Sequence, residues 1–211
     1  SLSFLARVEG KMSENRMGAV IRTAPQERPW PPEQGQWTYE DWLRLPDDGF
    51  RYEVLNGVLY MTPPPRIRHQ FTLENLSRRL GNFVAERELG WILFAPCGVR
   101  LPGQPVPVQP DILFVRAERR DIIGEEYVEG APDLVVEILS PSNWLYDRTE
   151  KFRAYQEAGV MEYWIVDYNA RTIEVFVLEG STYALLGKFG LGEVVRSKVL
   201  AGFEIVVGEV V

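Results

Sequence analysis

The sequence predicts an α/β (α+β) fold: a central mixed β-sheet with helices packed against it and a β-hairpin ahead of it. Three observations carry this. Residues 133–139 (Asp-Leu-Val-Val-Glu-Ile-Leu) form a nearly continuous apolar run, the pattern of a central strand covered on both faces. A helical segment over 147–158 and further β-rich runs follow it directly, as a strand–helix–strand unit requires. Ahead of them, Asn56-Gly57 sits between two β-rich runs over 51–61, which specifies a two-residue type I′ hairpin. The chain has 211 residues and is 45% hydrophobic, and a chain of this size buries about 70% of its surface without disulfide or metal support.

The elements follow in order. Residues 1–36 read as an N-terminal extension, flexible or strap-like, because Pro25, Pro29, Pro31 and Pro32 around Trp30 forbid a regular element. A single domain is expected over 37–207. Thr38 caps a short helix, with Asp41 three residues on and Trp42, Leu43 and Leu45 behind it; Pro46-Asp47-Asp48-Gly49 ends it. The hairpin register then sets Glu53 opposite Tyr60. Pro63-Pro64-Pro65 stops the hairpin, and a helix is expected over 69–89, where Leu73, Leu76, Leu80, Phe83 and Val84 recur at helical spacing before Gly90. Two strands are expected at 91–99 and 106–115, joined by a turn at Pro102-Gly103. Residues 117–130 are charged and aperiodic and read as a surface loop. After the apolar strand, the helix over 147–158 is closed by Gly159. Strands at 163–167 and 172–178 turn at Asn169-Ala170, and further short strands are expected within 183–206.

Composition removes several function classes. One cysteine, Cys97, and one histidine, His69, leave no internal disulfide, no cysteine-cluster zinc site and no metal site that needs two histidines. Cys97 has no basic partner in sequence that would activate it as a nucleophile. No run approaches the 18 apolar residues of a membrane span, so a cytoplasmic protein without membrane contact is expected. A net charge of −7 argues against a general nucleic-acid coat, which needs a basic face. It leaves open a metal-dependent nuclease, whose active site is itself built of carboxylates.

Glu137 and Asp111 are the residues out of place. Glu137 lies inside the most apolar strand, where an uncompensated carboxylate is costly to desolvate. Such a group persists when it is protonated, paired with a base or bound to a cation. Asp111 repeats the situation one strand earlier, in Val108-Gln109-Pro110-Asp111-Ile112-Leu113. Two carboxylates on neighbouring strands, facing one side, make a hard-oxygen site suited to Mg²⁺ or Mn²⁺. The alternative is that each carboxylate caps a strand end or pairs with an arginine.

The spacing Gln109-Pro110-Asp111-Ile112, then Val136-Glu137-Ile138-Leu139, resembles the PD-(D/E)xK nuclease superfamily. More narrowly, the segment 132–142, then Asp147, Lys151 and Tyr155, then 159–167, resembles the Uma family of restriction-endonuclease-like proteins. Tyr52-Glu53-Val54-Leu55-Asn56-Gly57 and Arg68-His69-Gln70 extend the likeness, so it covers roughly 37–207. The resemblance implies a restriction-endonuclease-like core and a metal-dependent endonuclease that hydrolyses DNA phosphodiester bonds. Asp111 and Glu137 would hold the metal, with the Ile138 carbonyl as a third ligand. The superfamily lysine, two residues after the glutamate, is Leu139 here. Lys151 is the substitute the resemblance offers, from the following helix; taken alone, it reads as a solvated lysine paired with Asp147.

Further candidates around this centre are Glu53 as an additional acid, and His69, Gln109 and Tyr155 as accessory groups. The alternative for Glu53 is an exposed cross-strand partner of Tyr60, and for His69 a capping or packing residue. Asp133 and Asp167 read as strand-end and turn residues. Arg78, Arg79, Arg148 and Arg153 are candidates for a nucleic-acid groove, or solvated helix faces. Two other function classes remain open. One is a non-catalytic nuclease-fold module for nucleic-acid or protein binding. The other is a homodimer with Trp91, Trp164 and the late strands in contact.

Overall fold

The structure is a computed structural model that describes residues 29–141 and 144–211. Most of the expected extension, 1–36, lies outside the described residues. Residues 33–211 form one compact unit.

Helix α1 (Tyr39–Trp42) opens with the expected capping box: Thr38 and Asp41 satisfy each other's backbone N–H groups. Strands β1 (Arg51–Leu55) and β2 (Val58–Thr62) form the hairpin, with Glu53 opposite Tyr60. Asn56 and Gly57 take φ of 52° and 75°, the two left-handed residues of a type I′ turn. Gly57 is also needed for space, because the Gly57 carbonyl accepts from the N–H groups of Gly35 and Trp37 at 2.8 and 3.0 Å and a Cβ at position 57 would strike the Gly35 backbone.

Helix α2 (Ile67–Glu86) follows. The first expected strand divides in two, β3 (Gly90–Phe94) and β4 (Gly98–Arg100), where Pro96 removes a ladder donor. The second keeps a ladder only as β5 (Ile112–Arg116), since Pro107 and Pro110 interrupt its first half. The segment 117–130 is not the aperiodic loop expected from its charge: it holds a 3-10 turn (Ala117–Ile122) and β6 (Tyr127–Glu129), paired parallel to β4. Then come β7 (Leu134–Ile138), helix α3 over 144–158, and β8 (Glu162–Asp167), β9 (Thr172–Glu179), β10 (Thr182–Phe189), β11 (Val194–Arg196) and β12 (Glu204–Val206). Gly159 closes α3 with φ of 85°, the left-handed C-terminal position glycine serves.

The central sheet runs β10-β9-β8-β7-β5-β3. It is antiparallel except for β7 and β8, which pair parallel across the α3 crossover. Strand alternation gives it two apolar faces. Phe114, Val136, Ile138, Trp164 and Val166 pack with Leu73, Leu76 and Leu80 of α2 on one face. Leu113, Val135, Leu139, Tyr163 and Ile165 pack with Ala154 and Tyr155 of α3 on the other. Trp164 is fully buried, so it is core and not the intersubunit contact the sequence allowed.

Candidate active site

Asp111 and Glu137 meet because of sheet register. Ile112 pairs with Val136; one step further along the antiparallel ladder, Asp111 faces Glu137. Strand alternation puts Glu137 on the face of Val135 and Leu139, which α3 covers, while Asp111, just ahead of β5, also reaches His69 of α2. The Ile138 N–H donates to Asp111 Oδ2 at 2.7 Å.

Around this pair the structure gathers several more buried charged groups. Lys151, from α3, places Nζ 2.9 Å from Glu137 Oε1, 3.3 Å from Glu53 Oε2 and 3.6 Å from Asp147 Oδ1. The Tyr155 hydroxyl donates to Glu137 Oε1 at 2.6 Å. Lys151, Glu137, Asp147 and Tyr155 are all fully buried. The solvated lysine of the bland sequence reading is therefore excluded, as is the exposed-face reading of Glu53, which is 1% exposed. Glu53 Oε1 accepts from the Gln109 N–H at 2.7 Å, which ties the hairpin to the approach of β5. Leu139, where the superfamily has its lysine, sits in the apolar cluster under α3.

Helix α3 delivers Lys151 through a local change of pitch. Residues Asp147–Lys151 form a π-helical turn between two α-helical pieces. Such single turns are frequent at functional sites because the extra residue re-aims side chains. Here it sets Asp147 and Lys151 on the sheet side.

His69 is neither a cap nor mere packing, since the N-cap of α2 is Arg66. Its Nε2 lies 3.2 Å from Asp111 Oδ2. Two residues were not singled out as site residues from sequence. Arg51 reaches the Gln109 carbonyl at 3.1 Å, Asp111 Oδ1 at 3.5 Å and Glu53 Oε2 at 3.6 Å. Asp147, which the sequence offers as a partner of Lys151 and as part of the family likeness but not as a site residue, is buried with no hydrogen bond to either carboxylate oxygen. Strand alternation held the signal for Arg51, because Arg51, Glu53 and Leu55 share one hairpin face and an apolar residue ends that row.

The two central carboxylates differ in charge state. Burial works against an ionised Asp111, but the hydrogen bond with His69 and the nearby Arg51 guanidinium prevail and hold its pKa at about 2. Burial pushes Glu137 up to about 7; Lys151 opposes the rise and Asp111 adds to it. Burial likewise raises Asp147 well above the usual carboxylate range. For Lys151, burial would lower the pKa, but Glu137 and Glu53 outweigh it and the ammonium is retained.

A cleft of about 530 Å³ opens onto one side of this cluster and is lined by Asp111, His69, Gln109, Arg51 and Arg66 among others. Glu137 and Lys151 are not part of its lining and have no exposed surface. Elsewhere the residues behave structurally. Asp133 accepts from the Arg116 N–H and from Arg119, both at 2.9 Å. Asp167 accepts the N–H groups of Asn169 and Ala170 at its turn. Burial raises the Cys97 pKa, which keeps it a thiol. The groove candidates are engaged locally: Arg78 pairs with Glu74, Arg79 with Glu209, Arg148 with Glu174 and Arg153 with Glu150.

Among the described residues, no group of three or more His, Cys, Asp or Glu side chains is arranged to hold a metal ion. Mg²⁺ does not require such a group, since it binds through one or two carboxylates and keeps several waters. Glu137 Oε2 and Glu53 Oε2 are buried without hydrogen-bond partners, and the donors here are hard oxygens. The residues fit such an ion. No helix among the described residues is long and apolar enough to cross a membrane.

Comparison with known proteins bears on this centre. The model of the Uma2 family, described as "Putative restriction endonuclease", matches residues 39–208. No curated protein matches the chain. Among solved structures, a protein from Anabaena variabilis ATCC 29413, described as a putative nuclease belonging to DUF820, superposes with a TM-score of 0.66 at 18% identity. The match covers 82% of this chain and 96% of that one. At that identity the likeness speaks for the fold.

Proposed function

The chain belongs to the Uma2 family of restriction-endonuclease-like proteins, and from that premise we propose that it is a metal-dependent endonuclease acting on DNA phosphodiester bonds. The observation that carries the reading is the pairing of Asp111 and Glu137 across adjacent strands, with Lys151 brought to Glu137 from another element.

Asp111, Glu137 and the Ile138 carbonyl would hold Mg²⁺ or Mn²⁺, which supplies water activation and neutralises charge on the scissile phosphate. Asp111 is ready as a ligand because His69 and Arg51 keep it ionised. Lys151 stands in for the lysine absent at 139: it fixes Glu137 Oε1 together with Tyr155 and leaves Oε2 free of hydrogen bonds. Glu53 holds the other side of the Lys151 ammonium and, through the Gln109 N–H, the strand entry that carries Asp111. Gln109, His69 and Arg51 line the cleft where the substrate enters. A cytoplasmic protein acting as a homodimer, each subunit supplying one such centre, accords with this reading and with the scarcity of cysteine.

Plasmid nicking under Mg²⁺ or Mn²⁺ tests the function. Wild type should nick, and Glu137→Ala should lose at least about 100-fold of that activity, the scale on which a single group that stabilises transition-state charge acts. Full metal-dependent nicking by purified Glu137→Ala would end the reading. The second class, a non-catalytic nucleic-acid-binding module, has one observation in its favour: Glu137 and Lys151 have no exposed surface. Undiminished DNA binding without cleavage under either metal would select it.

A further inference from the structure

A second cavity, of about 440 Å³, adjoins the candidate catalytic cleft and shares Gly49, Arg51, Pro96 and Gln109 with it. Its remaining wall is mostly apolar and aromatic, formed chiefly by Trp42, Leu43, Leu45, Phe50 and Tyr52, with Asp47 as its one acidic residue. These side chains come from α1, from the turn that follows it and from β1, and the wall is braced from behind. Trp42 Nε1 donates to the Tyr52 carbonyl at 2.9 Å, and the Tyr52 hydroxyl donates to Asp48 Oδ2 at 2.9 Å. Phe50 stays 39% exposed. The shared wall holds the Arg51 guanidinium, 3.5 Å from Asp111 Oδ1.

An aromatic surface, an adjacent fixed guanidinium and a neighbouring phosphodiester site are the elements with which proteins hold unpaired bases. The ring faces stack a base, and the cation faces the backbone. A duplex would need a basic track instead, because backbone contacts supply most of its affinity. The helix-face arginines that the sequence offers for such a track, Arg78, Arg79 and Arg148, are tied to Glu74, Glu209 and Glu174, and the chain carries a net charge of −7.

We propose that this second cavity is a base-binding subsite, which seats an unpaired nucleobase next to the phosphodiester held at Asp111, so that the preferred substrate is single-stranded or locally unpaired DNA. The inference rests on the nuclease reading for the position of the phosphodiester, but base binding itself needs neither metal nor cleavage.

The test is therefore made in EDTA, by fluorescence anisotropy with a labelled single-stranded oligothymidylate and with a blunt duplex of the same length, alongside plasmid nicking under Mg²⁺. Wild type should bind the single strand more tightly than the duplex. Phe50→Ala should weaken single-strand binding by about 5- to 150-fold, the range that loss of one base–aromatic stack produces. Phe50→Tyr should retain the wild-type affinity, and both variants should keep the wild-type melting temperature, since Phe50 is partly exposed. Equal affinity for duplex and single strand, or a Phe50→Ala protein that binds single strand as wild type does, would overturn the proposal even if plasmid is nicked. Phe50-dependent single-strand binding without nicking would uphold the subsite and overturn the nuclease reading instead.

Discussion

Two glutamates lie fully buried on adjacent strands of the same sheet, and their surroundings are opposite. Glu162, at the start of β8, accepts from the Trp164 indole, from the Ser197 hydroxyl at 3.1 Å, and from the N–H groups of Lys198 and Val199 at 2.8 and 2.7 Å. Every donor is neutral, both oxygens are used, and the carboxylate binds the 197–199 loop to the sheet. Glu137, on β7, has one oxygen facing Lys151 and Tyr155 and the other with no partner. Asp111, Glu53 and Asp147 crowd the same ammonium or the same strand pair. Burial raises both glutamates, but only at Glu162 do several hydrogen bonds to the carboxylate oppose it. A buried acid that is satisfied by neutral donors stabilises the fold. One left with an open oxygen among cations and other acids keeps an acceptor available, which the proposed metal would use.

The comparison can be broken by substitution. The largest effect is expected for Lys151→Met, which leaves Glu137, Glu53 and Asp147 around a buried site without their shared cation. Removing one partner of a buried ion pair costs about 3–5 kcal/mol, read as a lowered urea midpoint. An unchanged midpoint would mean that the acids are neutral throughout and that Lys151 balances no charge.

Next is the pH dependence of the metal-free protein. The pKa of Glu137 is raised in the folded state, from 4.5 to about 7, so its favourable contribution is complete below pH 4.5 and is lost as pH rises to 7. At 1.36 kcal/mol per unit the loss reaches up to about 3 kcal/mol. Urea denaturation at pH 5 and pH 8 should show it, and Glu137→Gln should flatten it. Asp111 acts in the reverse sense: its pKa is lowered to about 2, so its contribution is lost only below about pH 4, outside that window. A profile unaffected by Glu137→Gln would remove Glu137 as its source.

The smallest effect is expected for Glu162→Gln. The amide keeps one acceptor oxygen but turns two N–H groups toward donors, which costs about 1–3 kcal/mol through unsatisfied partners. Nicking activity per folded molecule should stay at the wild-type level. A loss of nicking comparable to that of Glu137→Ala would erase the distinction between the two acids.

How much of this was legible in the sequence depended on contrast. Glu137 stood out because the residues on either side of it are apolar, and Asp111 because it precedes another apolar strand. The hairpin, its register at Glu53 and Tyr60, and the closing glycine of α3 were equally plain, since each is fixed by local backbone chemistry. Glu162 gave no such signal: it sits at the edge of its strand, and apart from Trp164 its partners come from residues 35 to 37 positions later in the chain. Arg51 and Asp147 gave only weak signals, for a related reason. A charged residue on a hairpin or a helix reads as solvated until tertiary packing covers it, and the π turn that directs Asp147 inward has no sequence signature of its own. The strand in 117–130 was missed because β6 gains its partner, β4, only through the fold.

Metal binding tests the contrast between the two glutamates most directly. Calorimetric titration of Mn²⁺ and Mg²⁺ into wild type, Asp111→Ala/Glu137→Ala and Glu162→Gln should give binding to the first and third proteins and none to the second. No binding to wild type, or binding that survives in the double variant, would contradict the account and leave Asp111 and Glu137 as buried structural acids like Glu162.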